Sequence, residues 1–150
     1  MTQIRRLFTF VDFKDPFMES EIAGEPQAGP ILSMMSANHF HYLVLLCTRH
    51  LIRNAVRTRN EVQRRYPECA VEIYQLSVSD PRDHSALMAK LGPLMRELMQ
   101  QTEGERNYVC LSSGTAAVQA VWLLLKAAGE LPARLLQSPS GGGFTLHHTS

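Results

Sequence analysis

The chain predicts an α/β fold, a mostly parallel sheet of five or six strands with helices on both faces. Short apolar runs rich in aromatic and β-branched residues alternate with longer amphipathic segments, the pattern of strands joined by helical crossovers. The run Tyr42-Leu43-Val44-Leu45-Leu46-Cys47 has no charged position, as expected of a parallel strand covered on both faces. Pro67 and the Gly129–Pro132 stretch close two of the amphipathic segments where helices should stop.

Leu7 to Phe13 reads as the first strand, and Lys14 to Gly29, with Pro16, Gly24 and Pro26, as a long connection. Pro30 to Met35 suits a short helix with proline in its first turn. A strand within His39 to Thr48 leads into a helix over Leu51 to Tyr66. A strand at Val71 to Val78 precedes the capped turn Ser79-Asp80-Pro81-Arg82-Asp83. Ser85 to Gln101 places Leu87, Leu91, Leu94, Met95 and Leu98 on one helical face, with Pro93 as a kink. Tyr108 to Leu111, Ala116 to Leu131 and Ala133 to Gln137 complete the alternation as strand, helix and strand. Residues 1–138 form one domain on this reading, and 139–150, beginning Pro-Ser-Gly-Gly-Gly, a flexible tail or truncated linker. Right-handed crossovers then make the sheet Rossmann-like, with ligands beyond the carboxyl ends of its strands.

With 45% hydrophobic and 19% charged residues the chain is an ordinary globular one, and a net charge of +1 gives no global attraction for nucleic acid. No apolar run approaches the roughly 20 residues of a membrane span, and the N-terminus lacks a secretory pattern, so a cytoplasmic location is expected. Cys47, Cys69 and Cys110 have no metal spacing, and Cys47 and Cys110 suit a core.

Three loops should meet at the carboxyl edge. Ser112-Ser113-Gly114-Thr115 lies between a strand and a helix, where backbone amides and hydroxyls suit an anion or equally serve as a helix cap. It is neither a Walker loop nor the three-glycine dinucleotide fingerprint, so no cofactor is expected. Asp12-Phe13-Lys14-Asp15 offers an aromatic for a base and an amine for a phosphate, or alternatively a capped turn. Thr48 and Arg49 begin the helix at the same edge. The arginines at 53, 57, 59, 64 and 65 read as a solvated helix face. His39 and His41 lack a third metal ligand, so no metal is expected, and no catalytic set can be assembled.

The segments Tyr108 to Leu125 and Leu131 to Ser138 resemble the sensory domain of RtcR-like transcription regulators, a CARF-type domain related to the nucleotide sensors of CRISPR systems. Asp80-Pro81-Arg82-Asp83, Lys14 to Phe17 and Gly29 to Leu32 extend the resemblance. It implies a Rossmann-like homodimer that binds an RNA-derived ligand across the dimer, either a cyclic oligoadenylate or an RNA end such as a 2′,3′-cyclic phosphate. It also implies an effector beyond this chain, an AAA+ ATPase followed by a helix-turn-helix. The family's ligand loops map to Asp12–Asp15 and Ser112–Thr115, with Gln119 one turn along the helix. The first loop, Asp-Phe-Lys-Asp-Pro-Phe, differs from that of the RNA-repair regulator. Some relatives cleave their ligand, which makes a metal-independent ring nuclease using Lys14, Ser112 or Ser113 the second reading. A plain dimerisation module is the third.

Overall fold

In the computed structural model, residues 4–18, 27–100 and 106–137 and the backbone of 145–147 are described. The strands are β1 (Arg5–Phe10), β2 (Phe17–Met18), β3 (Gln27–Ala28), β4 (Tyr42–Thr48), β5 (Ala70–Leu76), β6 (Arg106–Cys110), β7 (Arg134–Gln137) and β8 (Thr145–His147). The helices are α1 (Pro30–Ala37), α2 (Ile52–Arg65), α3 (His84–Gln100) and α4 (Ala116–Ala127), and a 3₁₀ turn, Arg49–Leu51, leads into α2.

The main sheet has the order β5-β4-β1-β6-β7-β8, parallel throughout except for the antiparallel β7–β8 pair. It is the expected Rossmann-like arrangement. β2 and β3 form a separate antiparallel pair within the connection expected over Lys14 to Gly29. Residues 19–26 of that connection lie outside the described ones.

Alternation along β1 divides the core in two. Phe8 and Phe10 join Leu87, Leu91, Met95, Val118 and Trp122 under α3 and α4. Leu7 and Val11 join Ile31, Leu32, Ala55 and Val62 under α1 and α2. Successive side chains of a strand point to opposite faces, so one strand feeds both layers. Trp122 is fully buried and meets Phe10 edge to face at 5.9 Å between ring centroids.

The largest departures from the expected boundaries lie at three places. β1 ends at Phe10 because the chain folds into a turn, with the Asp15 amide donating to the Asp12 carbonyl at 2.9 Å. α4 stops at Ala127, short of Leu131. There Gly129 has φ +74°, its amide donates to Lys126 O, and the Glu130 amide donates to Leu125 O. Those two bonds form a Schellman cap, which glycine's tolerance of positive φ permits. In the expected tail, Thr145–His147 forms strand β8 along β7. The rest of that tail, 139–144 and 148–150, lies outside the described residues. α3 runs through Pro93. No helix among the described residues is long and apolar enough to cross a membrane.

Candidate functional site

The chain leaves β1 toward β4 and β5 on one side, then returns to β6 on the other. The reversal opens a crevice beyond the carboxyl ends of β1 and β6, where α/β sheets of this type hold ligands. A cavity of about 140 Å³ lies there. Phe10, Val11, Leu51, Pro81 and Val118 give it apolar walls, and Asp12, Phe13, Thr48, Gly114 and Thr115 complete it.

The loop after β1 is held by its own carboxylates. Asp12 Oδ1 accepts the Lys14 amide at 3.1 Å, and its Oδ2 accepts the Gly114 amide at 3.3 Å. Asp12 thus ties the β1 loop to the turn before α4. Phe13 is 73% exposed at the crevice, with Lys14 Nζ 5.8 Å from its ring centroid. Asn54 on α2 donates to the Asp15 carbonyl at 2.9 Å and braces the loop from below.

Asp15 requires a correction. It was expected among the ligand contacts, yet it is 1% exposed and turned away from the crevice toward α1. Its Oδ2 accepts the Asp12 amide at 2.9 Å and its Oδ1 the Ile31 amide at 3.0 Å. Burial raises its carboxyl from the usual 3.8 to about 7, against the pull of those two amides. Its role is to fasten the loop to the start of α1.

The Ser-Ser-Gly-Thr turn also differs from the anion cradle expected of it. Ser113 is fully buried, and the Cys110 thiol lies 3.8 Å from its hydroxyl, so that side chain faces the core. Ser112 is half-buried and already engaged within the protein. Thr115 caps α4: its hydroxyl accepts the Val118 amide at 3.2 Å and donates to Pro81 O at 3.0 Å. With Asp12 on the Gly114 amide, protein oxygens already answer part of this helix's positive end. Gln119 sits one turn along α4, half-buried, and Arg49 is exposed in the 3₁₀ turn; neither lines the cavity. Thr48 does line it.

Phe10, Val11, Leu51, Pro81 and Val118 are wall residues outside the expected set. The Asp80-Pro81-Arg82-Asp83 turn follows β5 at this same edge, which was the available signal. His41, by contrast, has a structural partner: its Nδ1 accepts the Arg5 amide at 3.0 Å. No cluster of three metal-ligating side chains occurs among the described residues.

Gly114 has φ +97°, and a Cβ there would lie 3.0 Å from Val118 Cγ1 and 3.2 Å from Phe10 Cβ. Both the backbone and the space oppose a side chain. Gly114→Ala should cost about 2–3 kcal/mol of stability and narrow the crevice. Urea unfolding measures the first effect; a loss under 0.5 kcal/mol would refute this account of the turn.

Residues 28–145 match the family described as RtcR, regulator of RNA terminal phosphate cyclase. The chain belongs to the RtcR family. Over 72 residues it is 35% identical to the transcriptional regulatory protein RtcR of Escherichia coli (strain K12), which covers 48% of this chain and 14% of that protein. Among solved structures it resembles Enterococcus italicus Csm6 bound to cyclic hexa-2′-fluoro-hexa-dAMP, with TM-score 0.79 and 16% identity over 95% of this chain and 36% of Csm6. A type III CRISPR defence DNA nuclease activated by cyclic oligoadenylate gives TM-score 0.60 and 20% identity over 97% of this chain and 20% of the nuclease. Protein VC1899 from Vibrio cholerae gives TM-score 0.57 at 11% identity, over 94% of this chain and 35% of that protein. These likenesses place this RtcR-family chain in the CARF-type fold. It spans only a minor part of each relative's length.

Proposed function

We propose that this RtcR-family domain is a ligand sensor that binds a cyclic oligoadenylate, or another RNA-derived nucleotide such as an RNA end, between two copies of itself. The observation that carries the reading is the crevice at the switch point, walled by residues from four separate chain segments. Csm6, of the same fold, was solved with a cyclic hexanucleotide analogue bound. A cavity of about 140 Å³ falls well below the ~300 Å³ of the smallest pockets that enclose a drug-sized ligand. Each crevice therefore takes one group of such a ring, and a second copy supplies the other half of the site. Leu123 and Leu124, exposed on α4, suit that second copy. The effector, a transcription activator with an AAA+ domain, belongs to the part of the protein beyond this chain.

Thermal melting with cyclic tri-, tetra- and hexa-adenylate, and with RNA ending in a 2′,3′-cyclic phosphate, tests the proposal. A hundredfold excess of ligand over Kd adds about 2.7 kcal/mol of apparent stability, a rise of roughly 5–10 °C for a chain of this size. No shift with any of these compounds would sink the sensor reading. Linear products in the same incubations would reassign the domain as a ring nuclease.

A further inference from the structure

We propose that the crevice is a nucleobase subsite: an adenine of the ligand enters it, hydrogen-bonds the Thr48 hydroxyl with its polar edge and stacks on Phe13. The inference rests on the sensor reading above and assigns which part of the nucleotide goes where.

Thr48 is the last residue of β4 and is 3% exposed. It lines the crevice, and its Oγ1 has no hydrogen-bond partner. Buried hydroxyls are normally satisfied, because leaving one unpaired forfeits its hydration for nothing in return. An unpaired hydroxyl on a residue that walls a largely apolar cavity is what a ligand's polar edge would complete. Threonine both donates and accepts, so it can pair with either the amine or the ring nitrogen of adenine.

The remaining wall argues for a base over a phosphate. Phe10, Val11, Leu51, Pro81 and Val118 present carbon to whatever enters. The ionisable group on this wall is Asp12, and its carboxylate, held by the Gly114 and Lys14 amides, would repel an anion. The same carboxylate is an acceptor without a donor when ionised, and so favours an amino edge over a carbonyl edge. At the mouth, Phe13 offers an exposed ring of the kind on which bases stack. A cavity of about 140 Å³ suits one heterocycle, leaving ribose and phosphate outside.

The test compares wild type, Thr48→Val and Phe13→Ala for binding of cyclic hexa-adenylate by calorimetry, with melting of each protein measured alone. Valine keeps the shape of threonine and removes the hydroxyl. Thr48→Val should bind about tenfold more weakly, yet melt no lower than wild type, since the lost hydroxyl had no partner in the free protein. Phe13→Ala should also bind about tenfold more weakly with an unchanged melting temperature. Wild-type affinity in Thr48→Val overturns the subsite while leaving the sensor reading intact. If Thr48→Val melts lower, Phe13→Ala decides, and undiminished binding there overturns the proposal. Absence of binding by the wild-type domain removes the sensor reading and this inference together.

Discussion

Gly29→Ala should destabilise the domain by about 3–5 kcal/mol and lower its melting temperature by about 10 °C. The backbone of Gly29 is at φ −71° and ψ −178°, a conformation open to any residue, so the effect is purely steric. A Cβ there would stand 2.1 Å from the Lys14 carbonyl oxygen and 2.9 Å from Asp15 Oδ1. Neither is the free end of a flexible side chain. The Gly29 amide also donates to Pro16 O at 2.8 Å, which fixes the distance between the two segments. To admit a methyl group the Asp12–Pro16 loop must move off α1, and the Ile31 amide bond to Asp15 and the Gly29 amide bond to Pro16 O then fail together. That leaves a buried carboxyl with one of its two amide donors lost. Equilibrium unfolding in urea is the measurement, and a loss below 1 kcal/mol would show that the loop yields without breaking those bonds.

Parallel strands buried on both sides carry a strong signal. β4 was legible from its apolar run, Leu43 to Cys47 between two polar flanks, which suits a strand covered on both faces. Helix faces followed from spacing, as in Leu87, Leu91, Met95 and Leu98 of α3, all buried. The end of α4 was harder, since Leu123, Leu124 and Leu125 prolong the apolar text while the Gly129 cap acts only through its backbone. At the crevice, the sequence indicated which loops share an edge but not which side chain of each loop faces it. Asp12 and Asp15 look equivalent in the text, and what separates them is the Ile31 amide sixteen residues away. Ser113 likewise turns inward toward Cys110. Thr48, a β-branched residue ending an apolar run, looks like any core residue until its unpaired hydroxyl is seen beside a cavity.

Asp15 should make the stability of the domain fall as pH rises from about 4 to 7. Burial is the dominant influence on its carboxyl and outweighs the two amides, lifting it from 3.8 to about 7. Between those values the folded chain holds a proton that the unfolded chain has released, so raising the pH favours unfolding. A tenfold change in Ka corresponds to about 1.4 kcal/mol, which bounds the loss at about 4 kcal/mol. Glu61 and Asp80 act in the opposite sense, their carboxyls held below the usual range by hydrogen bonds to Arg64 and Arg65 and to Arg82 respectively. They are present in every variant and cancel in a comparison. Asp15→Asn cannot ionise, and its single carbonyl oxygen satisfies one amide where the carboxyl satisfies two. The variant should therefore be less stable than wild type at pH 4, with the gap closing as pH approaches 8. Urea unfolding of both proteins across that range measures the gap, and a constant offset would show that Asp15 is ionised throughout. The local consequence has the other sign. The ionised carboxylate is the stronger acceptor for the Asp12 and Ile31 amides, so the loop beside the crevice is tied most firmly at the pH where the whole domain is least favoured by this residue.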